Sequence, residues 1–243
     1  MDDTLMKFKK MFALLLLAMG LIVANAAEAL KIGQSYQGGI IFFVDVGGQH
    51  GLIAAKTDQS SGIPWYNGTY FTTNARADGL YAGTSNTNLI ISTQTTVGLA
   101  CSETSPPAYC TANENTAPAP TGNYAALVAA NYSIQGDGAT PCKGIPPEKC
   151  YGDWYLPSMY ELNLMHKNIG QGAKKPNTNK GGFANSFYWS SAENESFNAW
   201  NQNFGNGLQD NYGKEWVLPV RAVRSFYLFN SLAIFFSRRA GNN

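Results

Sequence analysis

Residues 152–170 read GDWYLPSMYELNLMHKNIG. Pro157 disfavours helix in the residue before it. Ser158 and Glu161 then form an S-x-x-E capping box, in which the serine side chain and the glutamate side chain each satisfy a backbone N–H at the helix start. Leu162, Met165 and Ile169 recur at i, i+3 and i+7 on one face, and Gly170 is a stop signal. The stretch predicts one amphipathic helix beginning after Ser158.

Three aromatic, alternating runs lie downstream. They are FYWSS (187–191), NAWNQNF (198–204) and WVLPVRAVRSF (216–226), separated by Asn/Gly turns such as Gly205-Asn206-Gly207. Each reads as a strand. In the last, Val217, Pro219, Arg221 and Val223 alternate with Leu218, Val220, Ala222 and Arg224, and Pro219 marks an edge or a bulge. Upstream, Ile40 to Val46 and Gly51 to Ala55 flank Gly47-Gly48-Gln49 and predict a hairpin. Residues 56–83 read as packed loops. Thr84 to Thr95 predicts a short helix with Leu89, Ile90 and Ile91 inward. Asn123 to Tyr132 predicts an alanine-rich helix with Leu127 and Val128 in the core. Few helices among many short strands give an α+β fold with long loops.

Residues 7–26, KFKKMFALLLLAMGLIVANA, join a lysine-rich start, an apolar run from Met11 to Val23 and a small-x-small end at Ala24-Asn25-Ala26. This is the three-part pattern of a secretory signal peptide. The apolar run has 13 residues, against roughly 20 for a bilayer-spanning helix. The expected organisation is a signal peptide over 1–26 and one domain over 27–243. That domain carries a proline-rich insert at 97–122 and an apolar extension at 227–243. An extracytoplasmic location follows: secreted, cell-surface or periplasmic, with no membrane span after cleavage. Four cysteines, Cys101, Cys110, Cys142 and Cys150, then imply bridges. Three pairings are open, nearest neighbours being favoured. None lies in a CxxC, which argues against a zinc site.

Removing residues 1–26 takes away three lysines and two aspartates and leaves 14 basic and 14 acidic residues. A formally neutral chain lacks the basic field of a non-specific nucleic-acid binder. Any anion site must be a local patch. The best one is the acid-free loop GQGAKKPNTNKGG (170–182), with Lys174, Lys175 and Lys180, joined by Lys167 near the end of the capped helix. Clustered cations are what a sulfated polysaccharide requires. Arg221 and Arg224, on opposite strand faces, cannot both join; Arg224 is assigned to the patch and Arg221 to a carboxylate.

Neutral sugars are held by aromatic faces and amides. Trp200 is the assigned candidate, from a set with Trp189, Tyr212 and Trp216 among Asn198, Asn201, Gln202, Asn203, Gln209 and Asn211. Trp154 and Trp189 read as core. Glu193, Asn194, Glu195 and Asp210 offer oxygen ligands for calcium, but no metal or cofactor is assigned. His50 and His166 sit in no recognisable acid–base setting, Glu193 and Glu195 alone are a weak glycosidase signal, and no phosphate loop follows a strand. The expected activity is binding without catalysis; the alternative is an assembly subunit using the apolar tail as its contact.

The segments IGQSYQGGIIFFVD (32–45), HGLIAA (50–55), ADGLYAGTSNTNLIISTQ (77–94), GDWYLPSMYELNLM (152–165), FYWSSAE (187–193), AWNQNF (199–204) and VRAVRSF (220–226) together resemble the Lcl C-terminal domain family, that of the Legionella collagen-like adhesin. They cover most of residues 32–226. In pattern the family is similar to the C-type-lectin-like group, compact α+β domains with long loops on small antiparallel sheets. The resemblance implies an adhesin, homotrimeric association and binding of sulfated glycosaminoglycans. The chain departs from the family in its 97–122 insert, its tail after Phe226 and its lack of a collagen-like Gly-x-y stretch.

Overall fold

The computed structural model describes residues 29–95, 99–101, 110–112 and 123–228. The signal-peptide reading of 1–26, most of the 97–122 insert and the tail beyond Leu228 fall outside the described residues.

In chain order the elements are β1 (Ser35–Tyr36), β2 (Gly39–Val44), β3 (His50–Ala55), β4 (Ser60–Ile63), α1 (Ala82–Thr95), β5 (Leu99–Cys101), β6 (Cys110–Ala112) and α2 (Ala125–Ala130). There follow β7 (Ile134–Gln135), β8 (Cys150–Tyr151), α3 (Met159–Ile169), β9 (Phe187–Glu193), β10 (Asn198–Asn203), β11 (Gln209–Gly213), β12 (Leu218–Val220) and β13 (Val223–Tyr227). A four-stranded sheet runs β1-β2-β3-β13, a three-stranded one β11-β10-β9, and the remaining strands form pairs. Every ladder is antiparallel. The protein is an α+β fold of small antiparallel sheets with few helices.

The hairpin formed as read, with Asp45 closing it: its carboxylate accepts from Gln49 N (2.9 Å) and His50 N (3.2 Å). Strands β2 and β3 are apolar on both faces, as a sheet covered on both sides must be. Ile41 and Ile53 enter one core with Trp65, Tyr124, Trp154 and Trp189. Ile40, Phe42 and Leu52 enter the other with Leu162, Met165, Ile169, Tyr188 and Phe204.

Helix α3 has its full capping box, and Leu162, Met165 and Ile169 are fully buried. Each such side chain contributes roughly 1.5–3 kcal/mol by leaving water. The segment before it is stitched to its surroundings. Tyr155 exchanges two backbone hydrogen bonds with Val223 (2.8 and 2.9 Å), and Leu156 N donates to Thr87 Oγ1 (3.0 Å). Trp154 and Trp189 are core, as expected.

Several expectations need correction. Leu89 is exposed and Ile91 only half-buried; α1 turns Asn86, Thr87, Ile90 and Gln94 inward instead. Polar residues occupy that face because their bonds are made inside: Asn86 bridges both backbone groups of Ala77 (2.7 and 3.1 Å) and reaches Ser191 Oγ (3.2 Å). In α2 the small alanines 125, 126 and 129 are the buried ones, permitting close approach, while Leu127 and Val128 are half-buried. The supposed loops at 56–83 contain β4, which pairs with β12. The 216–226 run is two strands in different sheets. Its alternation fails because Leu218 to Val223 is buried throughout as the chain crosses between them. Pro219 sits at a register shift, and β11 went unread among its Asn and Asp residues.

Candidate functional site

Helix α3 and the loop after it build a basic depression. The helix ends at Gly170, and the chain folds back on the last turn. Gly170 O accepts from Ala173 N (3.2 Å) and Asn179 N (2.7 Å), and Ile169 O from Gly181 N (2.8 Å). Thr178 Oγ1 donates to Ala173 O (2.7 Å), and Asn179 bonds both backbone groups of Phe183. The loop is thus held by its own polar groups. It leaves a depression of about 450 Å³ lined by Lys167, Lys174 and Lys175 with Ile32, Asn168 and Asn177. Lys174 and Lys175 are exposed. None of these three lysines has a carboxylate partner among the described residues. Lys180 is exposed on the same loop but does not line the depression.

Arg224 does not join them. Its Nε donates to Gly152 O (3.1 Å) and its Nη1 to Gln37 Oε1 (2.8 Å), and its guanidinium lies over the Tyr151 ring. Its strand belongs to the four-stranded sheet, where the arginine ties the β1–β2 turn to the segment before α3. Arg221 does pair with a carboxylate, buried against Asp58 (2.7 Å), but from the crossing between β12 and β13 rather than from the opposite face of one strand.

Trp200 stands apart from the lysines as well. It lines a cleft of about 280 Å³ with Arg76, Asp78, Met159, Glu193 and Gln209. Met159 and Lys167 sit at opposite ends of α3, about 12 Å along its axis. The ligand-binding residues assigned from sequence therefore occupy three places: the lysine loop, the Trp200 cleft and the Arg224 contact with the β1–β2 turn.

Beneath the Trp200 cleft lies a feature the sequence reading missed. Lys214 is fully buried, and its ammonium donates to Glu193 Oε1 (2.7 Å), Phe71 O (2.9 Å) and Ser196 O (2.6 Å). The Trp65 ring lies 4.8 Å away. Glu193 also accepts from Thr73 N (2.8 Å) and Asn74 N (2.9 Å). Its oxygens are committed, so it is not a free calcium ligand. Glu195 is exposed and bonded to Asn198, and Asp210 caps Asn211 N; the structure does not gather these carboxylates. Among the described residues one group of three potential metal ligands converges, Cys142, Glu148 and Cys150. Its two sulfurs are joined in a disulfide, with Cα atoms 5.8 Å apart. Cys101 and Cys110 oppose each other in the β5–β6 register; their side chains fall outside the described residues.

The capping glutamate does more than its motif implied. Glu161 is fully buried and accepts from Ser158 N (2.8 Å), Tyr81 N (2.7 Å) and the Tyr155 hydroxyl (2.9 Å). It therefore serves the chain entering α1 as well as α3. Burial pushes its carboxyl above the usual range, and the donors around it oppose that shift. His50 is exposed and meets Tyr227 edge-on. His166 packs against Phe204, with burial foremost and Lys167 second lowering its basicity. No signal short of the three-dimensional contacts could have found Lys214 or the second role of Glu161.

No protein-family model matches the chain, and no curated protein matches it.

Proposed function

We propose that this chain is an exported, non-catalytic binding domain of C-type-lectin-like form that attaches to polyanionic glycans through the depression beside the end of α3. The observation that carries the proposal is the convergence of Lys167, Lys174 and Lys175 on one open surface without an acidic partner among the described residues. One cation in the last turn of α3 and two on a loop fixed by its own hydrogen bonds offer point charges at little further ordering cost. Asn168 and Asn177 add amides for hydroxyl or sulfate oxygens. The N-terminal pattern and the Cys142–Cys150 bridge support export to an oxidising compartment. The small antiparallel sheets with long intervening loops support the lectin-like arrangement.

The test is retention of the oxidised chain on heparin resin at low salt. A delay that shrinks with added salt, and shrinks again with Lys174→Ala plus Lys175→Ala, is expected, because exposed charges are screened over about 10 Å at 0.1 M salt. Passage without delay at low salt refutes the proposal.

A further inference from the structure

The Trp200 cleft has features of a second binding site, which the polyanion reading does not use. Strand β10 pairs Ala199 with Glu193 and then Asn201 with Trp189. Three residues of β9, Ser190 to Ala192, thus stand opposite the single residue Trp200. Bulges of this kind interrupt a ladder, bend the strand and re-aim side chains, and they are frequent beside binding sites. Here the bulge is fixed from outside the ladder. Ser190 Oγ donates to Trp200 O (2.8 Å), Trp65 Nε1 donates to Ser190 O (2.8 Å), and Ser191 N donates to Pro157 O (2.7 Å).

The cleft beside it holds complementary groups that the chain leaves available. The Arg76 side chain is 55% exposed, and its Nε lies 3.9 Å from Glu193 Oε2. That carboxylate already has Lys214 and two backbone N–H groups, so the guanidinium fork makes no hydrogen bond among the described residues. Asp78 is exposed; one oxygen accepts from Tyr160 N (2.8 Å) and the other has no hydrogen-bond partner among the described residues. Gln209 is exposed and holds Met159 O only at 3.5 Å. Trp200 is half-buried and supplies an indole.

We infer that this cleft binds a single uncharged or uronic pyranose residue. A pyranose has a C–H face to lie on the Trp200 indole and Met159. Its neighbouring hydroxyls donate to Asp78 and accept from the Arg76 fork and the Gln209 amide. The opposed charges of Arg76 and Asp78 give the cleft no net preference for a polyanion, unlike the lysine depression. The volume, about 280 Å³, suits one ring rather than a chain. This site is independent of the lysine site, and either can fail without the other.

The experiment uses the full oxidised chain and a panel of methyl glycosides of neutral hexoses and hexuronates, followed by NMR of the tryptophan indole N–H signals. The Trp200 signal is assigned by its loss in Trp200→Phe. At least one glycoside is expected to move that signal saturably. Arg76→Ala, an exposed change that leaves the core untouched, weakens binding by about tenfold. Lys174→Ala plus Lys175→Ala leaves it unchanged. The inference is overturned if no glycoside moves the Trp200 signal up to about 100 mM, well beyond a millimolar Kd. It is equally overturned if Arg76→Ala binds as the parent does, or if the lysine variant abolishes the effect.

Discussion

Replacing Lys214 by methionine tests what underlies the Trp200 cleft. The methionine keeps the apolar stem and removes the ammonium. Glu193 then remains a buried carboxylate held by Thr73 N and Asn74 N, its nearest cation the largely exposed Arg76 at 3.9 Å. The carbonyls of Phe71 and Ser196 lose their shared donor. Breaking a buried pair in this way costs about 3–5 kcal/mol, whereas neutralising both members costs far less. A domain holding about 5–15 kcal/mol should therefore stay folded but weakened. With a urea slope of about 2 kcal/mol per molar, the midpoint falls by about 2 M. Adding Glu193→Gln removes the stranded charge and keeps one oxygen for a backbone N–H, so the double variant should recover about half of the loss. Urea unfolding followed by tryptophan fluorescence gives all four corners of the cycle. A single-variant cost below about 1 kcal/mol, or a double variant equal to the sum of the singles, refutes the reasoning.

Glu161→Gln should cost about 3 kcal/mol, because an amide turns a donor toward N–H groups that now face a carboxylate oxygen. Hydrogen exchange should quicken at Tyr81 as well as at Ser158; protection lost at α3 alone would contradict the shared role. The His166 ring, held below its ordinary basicity, resists protonation in the folded state. The unfolded chain takes up that proton first. Stability is therefore full above pH 6.5 and declines as the pH falls through that value toward the lowered native one. His166→Gln should flatten the part of the urea-midpoint decline between pH 8 and 5 that this ring causes, and an unaltered decline would count against it.

Where local pattern and packing agree, the fold could be read from the chain. The capping box and the Leu162, Met165 and Ile169 stripe located α3, and aromatic runs between Asn/Gly turns located β9 and β10, although β9 is buried nearly throughout rather than on alternate residues. The lysine depression was partly legible because a loop with no acid next to a helix end leaves its cations unpaired. Arg224 was misgrouped with it because strand alternation says which face a side chain takes but not which other segment lies there. Arg224 meets Gln37, far off in sequence. The polar interior of α1 was hidden for the same reason: Asn86 and Thr87 are satisfied by partners that only folding brings close. Lys214, between glycine and glutamate, carries no local signal of burial.

The four-stranded sheet also governs how the domain can be carried. Gly33 N bonds Ile41 O on the way in, and Leu228 N bonds Gln49 O on the way out. The outgoing end therefore leaves beside the 45–49 hairpin tip, while the incoming one joins the opposite edge of the sheet lower down, at Ile41, on flanks separated by three strand spacings, about 14 Å. A host chain could accommodate this unit in one of its own surface turns with little stretching, or hold it aloft by either terminus. Opposing pulls on the two ends of this folded body would fall on β1 and β13, the opposite edges of the sheet, and so peel the outer strands away from the central hairpin.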